Sequence, residues 1–333
     1  MYVDIPIWLS LAFMLGGFVA LAWSSDTFVD GSSVIAKALG ISPFIIGMVI
    51  IGFGTSAPEL CVSVISGLSD HANLSLGNAY GSCIFNIAAI LGLASLIRPL
   101  TVKPATAKYA APALALLAVV SLFLLADGKC SRLDAFVLLA LFAILMPLYC
   151  WFDQKTSGGA DAKGGDVAPA AYSRREIVVA AVKLFAGLAV LIGSSHILVW
   201  GAVDFARTMG VSELMIGLTI IAAGTSLPEL ASAVASARRG EHEFVLGNII
   251  GSNLFNTLAV VGLSSSISPA RDFSGCILAR DLPLMVVLSL MILVFGLNWR
   301  KPSKPGSFNR IEGTVWILIF IAYMILVIHN ETH

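Results

Sequence analysis

Charged residues are scarce in this chain. They make up 12% of its 333 residues and hydrophobic residues make up 58%, whereas a soluble domain carries about 25% charge. This composition argues against a soluble globular protein. The 20 lysines and arginines balance the 20 aspartates and glutamates, so no net charge attracts nucleic acid or an acidic partner. We expect any ligand to be recognised locally and see no sign of an obligate protein partner.

Motifs of hydrolases and of transition-metal sites are also missing. The sequence contains no HExxH and no GxSxG, so an intramembrane hydrolase would lack its nucleophile and base. Five cysteines form no CxxC pair, which argues against a disulfide framework and against zinc. We therefore expect a protein that is not an enzyme and needs no cofactor.

Long apolar stretches, by contrast, are abundant. A bilayer core about 30 Å thick needs about 20 apolar residues per helix. Ten such stretches lie at 6–24, 42–67, 73–97, 106–126, 133–152, 175–200, 212–237, 244–268, 278–298 and 313–329. The first has no basic residue before it and no small-residue cleavage pattern after it, so we interpret it as a membrane helix. The sequence predicts an all-α integral membrane protein with ten transmembrane helices.

The longest polar segment, residues 153–174, divides the chain into halves of five predicted helices, at 1–152 and 175–333. It is rich in glycine, alanine and charge and has no hydrophobic period, which is typical of a flexible linker. Basic residues concentrate in cytoplasmic loops. An outside N-terminus places 14 of the 20 basic residues on the linker side and five on the other. This predicts an inner-membrane protein with a cytoplasmic linker and both termini outside.

The two halves repeat one another. Residues 47–86 and 217–256 align without a gap at an offset of 170, and 18 of the 40 positions are identical, including GTSxPEL, GN and GSxxFN. Because each half has an odd number of predicted helices, the second copy enters the membrane from the opposite side. Inverted repeats with matching Gly/Pro interruptions are characteristic of secondary transporters, which bind substrate near the midplane where the repeats meet.

Glu59 and Glu229 are the two acidic residues that lie deep inside predicted spans, one in each half. Burying a carboxylate at the bilayer centre costs at least about 2.5 kcal/mol, and no basic residue occupies matching positions in both halves. We therefore expect a transported cation or a proton to balance the charge. Pro58 and Pro228 precede the glutamates and interrupt the helical hydrogen bonds, which frees backbone carbonyls.

Neutral oxygens accompany the two glutamates. Thr55 and Ser56 can share a helix face with Glu59. The next predicted helix of each half carries polar residues at i, i+4 and i+8, namely Asn78, Ser82, Asn86 and Asn248, Ser252, Asn256. Carboxylate, hydroxyl and amide oxygens suit Ca²⁺, and a ligand set without His or Cys argues against zinc or copper. Each Asn or Ser alone could instead bond a neighbouring helix.

These motifs, GTSAPEL with GSCIFN and GTSLPEL with GSNLFN, resemble the cation/calcium exchanger superfamily, specifically its bacterial sodium/calcium exchanger-like antiporters. The resemblance implies a site shared by helices 2, 3, 7 and 8, with helices 1 and 6 sliding against that core during alternating access. The ligands that it implies are Thr55, Ser56, Glu59, Ser82, Asn86, Thr225, Ser226, Glu229, Ser252 and Asn256.

One departure from the family leaves the counter-ion open. Some sodium/calcium exchangers carry aspartate at the position of Asn256, so the implied site here has two carboxylates and not three. Two negative charges balance one Ca²⁺, two Na⁺ or two protons. We expect an antiporter that exchanges Ca²⁺ for Na⁺, with Ca²⁺/H⁺ exchange as the alternative; a cation channel is disfavoured because broken helices suit an occluding carrier.

Overall fold

A computed structural model describes residues 6–69, 72–160, 172–211, 216, 220, 222–271, 277–299, 301 and 303–332. In the first half the helices are α1 (Ile7–Leu39), α2 (Pro43–Thr55), α3 (Ala57–Leu68), α4 (Asn73–Ile97), α5 (Thr106–Leu124) and α6 (Arg132–Ala160). In the second half they are α7 (Arg174–Thr208), α8 (Ala222–Gly224), α9 (Leu227–Arg239), α10 (His242–Ile267), α11 (Ile277–Gly296) and α12 (Arg310–Thr332).

Eight of these helices are long and apolar enough to cross a membrane, and α2 with α3 forms a ninth span if the bent pair counts as one. This confirms a helical protein with multiple membrane spans. The remaining predicted span, 212–237, the seventh in chain order, contains α8 and most of α9, but residues 212–215, 217–219 and 221 lie outside the described part of the chain. The arrangement as ten helices therefore stays a prediction.

The first helix is longer than predicted. We expected a span at 6–24, whereas α1 continues to Leu39 and ends where Gly40 adopts a left-handed conformation at φ 63°. Charged residues from Asp26 onwards lower the hydropathy of this segment, but packing against α7 keeps it helical. Likewise α7 extends beyond the predicted end at residue 200, and α6 continues into the predicted linker.

Glycines allow α1 and α7 to approach closely. A Cβ at Gly17 would lie 2.9 Å from the backbone nitrogen of Leu198, and one at Gly187 would lie 2.8 Å from that of Phe28. The two contacts are related by the offset of 170. Small residues at helix crossings are the usual means of close packing in membranes.

The two ends of this α1–α7 seam differ in chemistry. Lys183 Nζ of α7 lies 2.6 Å from Asp30 Oδ2 of α1, and Arg239 Nη1 at the end of α9 lies 3.3 Å from Asp30 Oδ1. The counterparts of Asp30 and Lys183 at the same offset are Trp200 and Phe13, whose rings meet edge to face at 5.0 Å. An ion pair at one end therefore corresponds to an aromatic pair at the other.

Helix α10 occupies the centre of the fold and is the most buried of the candidate spans. Gly251 of α10 packs on α2, where a Cβ would lie 2.5 Å from Met48 O, and Gly247 likewise contacts Phe44. This GxxxG pair therefore serves close packing. Helices α4 and α10 both widen into π-helical turns, at Phe85–Leu91 and Phe255–Val260, and such turns are frequent at functional sites.

Short extended segments join helix ends, which an all-α prediction does not include. Strand β1 (Leu100–Val102) pairs antiparallel with β2 (Gly306–Phe308), and an isolated bridge joins Cys130 to Ala270. Leu100 and Ala270 are themselves 170 residues apart. Pairing gives the backbone groups of these extended residues hydrogen-bond partners.

From the close packing of α1 on α7 we predict how a larger side chain in the seam changes stability. Gly187→Leu should lower the thermal unfolding temperature of the detergent-purified protein, because overpacking a close contact typically costs about 1–3 kcal/mol. Gly193→Leu is the matched control on the same helix, since a Cβ there meets nothing within 4 Å. Equal melting temperatures for the two variants would contradict the close packing of α1 on α7.

Candidate cation-binding site

A break in the helix positions the first set of predicted ligands. Helices α2 and α3 meet at 46°, and Ser56 between them has φ −83° and ψ 6°. Ser226, before α9, has nearly the same conformation, at φ −94° and ψ 11°. Pro58 and Pro228 stand in the first turn after each break. The predicted interruption at GTSxPEL is thus present in both halves.

The second break is tied to α7. Pro228 has no N–H to bond the carbonyl of Gly224, four residues earlier. Ser195 Oγ of α7 donates a hydrogen bond to that oxygen at 3.1 Å. A carbonyl freed by the proline is therefore held by the long helix that packs on α1.

The two glutamates are buried and bonded across the halves. Glu59 and Glu229 are 0% and 1% exposed. Ser226 Oγ donates to Glu59 Oε1 at 3.2 Å, and Ser56 Oγ donates to Glu229 Oε1 at 3.0 Å. Each half thus supplies the serine that binds the carboxylate of the other half.

One oxygen of each carboxylate accepts no hydrogen bond from the described residues. Within the described residues, Glu59 Oε2 and Glu229 Oε2 are buried and have no hydrogen-bond partner. Lys183, which lies in a predicted span, pairs with Asp30 instead. A buried anionic oxygen without a partner is costly, so these two atoms are suited to meet a cation or a proton.

Neutral oxygens extend both clusters. Ser226 Oγ also lies 3.2 Å from Ser82 Oγ, whose hydroxyl can donate to it. Thr55 Oγ1 lies 2.9 Å from Ile51 O and 3.3 Å from Asn248 Oδ1, and Ser252 Oγ lies 3.3 Å from Gly52 O. These contacts join the broken helices to α4 and α10.

The structure places all ten implied ligands in the interior or at the breaks. Nine are buried, and Thr225, beside Ser226, is half-buried. Direct hydrogen bonds connect five of them in two clusters, around Glu59 and around Glu229. Thr55 and Ser252 join the second cluster through Asn248. Asn86 and Asn256 do not bond to either cluster, but both keep an unpartnered, buried Oδ1 within the described residues.

Asn248 belongs to the polar stripe of α10, and its side chain makes hydrogen bonds to α2, to α9 and within α10. Its Nδ2 donates to Glu229 O at 3.3 Å and to Ser232 Oγ at 3.0 Å, while its Oδ1 accepts from Thr55 and Ser252. With both ends of the amide occupied, it positions other side chains. Spacing along one helix did not reveal this role, because three of the partners, Thr55, Glu229 and Ser232, lie on two other helices.

Oxygen is the donor element throughout the two clusters. Among the described residues, no group of three or more His, Cys, Asp and Glu side chains could hold a metal. Two carboxylates with hydroxyl and amide oxygens are suited to hard cations such as Ca²⁺ and Na⁺ and unsuited to zinc or copper.

Comparison with known proteins agrees with this chemistry. A sequence model of the family described as sodium/calcium exchanger protein matches residues 9–151 and 179–329. A protein of Alkalimonas amylolytica named as an antiporter, CaxA, is 39% identical over 94% of this chain and 97% of its own length. Inner membrane protein YrbG of Escherichia coli (strain K12) is 37% identical over 95% of this chain and 97% of its own length.

Solved structures extend the likeness to the fold. A structure of the sodium-calcium exchanger NCX_Mj superposes with a TM-score of 0.81 at 29% sequence identity. The match covers 98% of this chain and all of the other.

The site predicts stabilisation by a bound cation. Adding Ca²⁺ or Na⁺ to the purified protein should raise its melting temperature, because a ligand at 100 times its Kd contributes about 2.7 kcal/mol. Glu59→Gln and Glu229→Gln should each abolish the shift. Glu312→Gln, a matched change at a half-buried residue of α12 outside the site, should retain it. A shift that survives in both site variants would place the cation elsewhere.

Proposed function

The chain belongs to the sodium/calcium exchanger protein family, and from this premise we propose that it exchanges Ca²⁺ for Na⁺ at a midplane site built on Glu59 and Glu229. It is a multi-pass membrane antiporter and not an enzyme. The observation that carries the proposal is the reciprocal bonding of two buried glutamates by serines of the opposite half. Each glutamate keeps one oxygen for the cargo.

Charge balance determines what the site can hold. Two carboxylates neutralise one Ca²⁺ or two Na⁺, so either load enters the membrane interior without net charge, whereas the empty site would carry two uncompensated charges. Crossing empty is therefore costly. This requirement for a load couples the movement of one cation to the return of the other.

The serines suit an exchange of loads. Ser56 and Ser226 donate to the glutamates, and a hydroxyl oxygen can also accept or coordinate. A hydroxyl that rotates can turn its lone pairs towards a cation while its proton takes another acceptor. We propose that Thr55, Ser82, Asn86, Thr225, Ser252 and Asn256 complete the ligand set.

Alternating access requires two elements that move past each other. We propose ten helices in two inverted repeats, 1–152 and 175–333, joined by the linker at 153–174. Helices α1 and α7, which are the first and sixth of the ten predicted spans, slide on the remaining helices. The family match supports this because its two ranges begin 170 residues apart. The glycine contacts between α1 and α7 recur at the same offset.

Exchange of Ca²⁺ for protons is the second candidate. The position where some relatives carry a third carboxylate is Asn256, which is 0% exposed. Two protons would therefore neutralise the site as fully as one Ca²⁺ does. The Na⁺ reading is preferred because the superposed structure is of a protein named as a sodium-calcium exchanger.

Transport in inverted vesicles tests the proposal. A Na⁺-loaded lumen should drive ⁴⁵Ca²⁺ uptake, and a sodium ionophore should abolish that uptake. Uptake driven by an acidic lumen in the absence of Na⁺ would identify the proton as counter-ion. Accumulation of ⁴⁵Ca²⁺ in exchange for unlabelled luminal Ca²⁺ would separate a carrier from a channel.

The glutamates supply the control for this assay. In Glu59→Gln, Glu229→Gln and the double variant, uptake should fall to the level of vesicles without the protein, because an amide cannot balance the cargo charge. Glu312→Gln should transport normally. Gradient-driven uptake that persists in the double variant would overturn the site.

Orientation gives a separate prediction. We propose both termini outside and the linker in the cytoplasm, because basic residues favour cytoplasmic loops. A fluorescent protein inserted at Gly159 should fold and fluoresce in a bacterial host, and alkaline phosphatase fused after His333 should be active. The opposite pair of results would invert the topology.

A further inference from the structure

The two halves of the site differ at one position of their shared motif. GSCIFN in α4 has Cys83 where GSNLFN in α10 has Asn253, at the offset of 170. Both side chains are buried, and Cys83 Sγ lies 3.8 Å from Asn253 O. The two residues therefore meet in the interior, where a thiol in one half corresponds to an amide in the other.

Asn253 holds a neighbouring ligand candidate. Asn86 Nδ2 donates to Asn253 Oδ1 at 3.3 Å, and Asn86 is 1% exposed. With its amino group taken, Asn86 presents Oδ1, which has no partner within the described residues. An amino group turned the same way would repel a cation, so this hydrogen bond selects the orientation that binds one.

Cys83 gives no equivalent hold to Asn256. Its thiol contacts Thr257 Oγ1 at 3.6 Å and Asn253 O, and a thiol is a weak donor and acceptor. Asn256 is 0% exposed, yet in the described part of the chain neither its Nδ2 nor its Oδ1 has a partner. The counterpart of Asn86 is therefore free to turn either end of its amide towards the site.

We propose that Asn253 is a positioning residue that fixes Asn86 with its carbonyl oxygen towards the cation, while Cys83 leaves Asn256 unfixed, so that the two asparagines contribute unequally to cation affinity. The proposal rests on the proposed function, because it assumes that Asn86 and Asn256 face the cargo. Asn253 itself touches no cargo and acts through Asn86.

The size of the effect follows from one hydrogen bond. A typical intramolecular hydrogen bond corresponds to about a 2- to 12-fold change in an equilibrium constant. Asn253→Cys should therefore raise the Ca²⁺ concentration for half-maximal exchange several-fold. The maximal rate should change little, because Ca²⁺ keeps the same ligands at saturation.

Exchanging the two residues tests positioning against mere packing. In the native chain Asn86→Ala should weaken Ca²⁺ binding more than Asn256→Ala does. In the swapped chain, Cys83→Asn with Asn253→Cys, the new amide should hold Asn256, so the order of the two alanine effects should reverse. The swap conserves the combined volume of the pair, and a role limited to packing predicts no reversal.

Two measurements make the outcome decisive. Half-saturation is taken from ⁴⁵Ca²⁺ exchange and, independently, from the rise in melting temperature on titration with Ca²⁺. An unchanged half-saturation in Asn253→Cys, or the same order of alanine effects in native and swapped chains, would overturn the positioning role.

Failure of the proposed function gives a different result. If the native chain exchanges no Ca²⁺ but another cation stabilises it through Glu59 and Glu229, that cation replaces Ca²⁺ in the titration and the swap decides as before. If no cation stabilises the native chain, the proposed site and the positioning role are both overturned.

Discussion

Two buried carboxylates that pair with no basic side chain among the described residues are the constraint on which the rest of this structure depends. Glu59 and Glu229 are fully buried, and burial of an unbalanced charge is costly. The fold lowers that cost in part, with one serine hydroxyl on each glutamate from the opposite half. Helix breaks after Thr55 and Thr225 bring those serines into reach. Under the proposed function the cargo balances the remaining charge, and a site that is stable without a cation would not couple the movement of two ions.

Much of this could be predicted from the sequence because a membrane simplifies the physics. The positions of the apolar stretches predicted where the eight long helices begin, to within a few residues. The proline after GTS predicted the helix break at Ser56. The predicted end of α1 was wrong because hydropathy treats Asp26 and Asp30 as loop residues. Contacts with α7 and Arg239 keep both residues helical. A hydropathy value describes each residue by itself, so it takes no account of an ion pair such as that of Asp30 with Lys183, which is 153 residues away in the sequence.

The buried glutamates and their serine partners were predictable as site candidates where the repeat marked them, whereas contacts at positions where the halves differ were not. Glu59 and Glu229 stood out because identical residues in matched register imply a shared role. Asn253 did not, since its counterpart is a cysteine and its contact is with Asn86 of the other half. Asn248 was noticed through its spacing, but three of its four hydrogen bonds join it to Thr55, Glu229 and Ser232 on other helices, whose approach depends on tertiary packing.

Differences between the halves can set affinities but cannot set the direction of transport. An exchanger cycles reversibly, so the ion gradients alone decide which way Ca²⁺ moves, and any contact that favours one state must weaken the other. The ion pairs of Asp30 with Lys183 and Arg239 join α1, α7 and α9 at one end of the seam. The aromatic pair of Phe13 and Trp200 lies at the other end. If α1 and α7 slide as proposed, the two contacts stabilise the two open states by different free energies, because one is ionic and the other aromatic, and this difference sets the populations of those states.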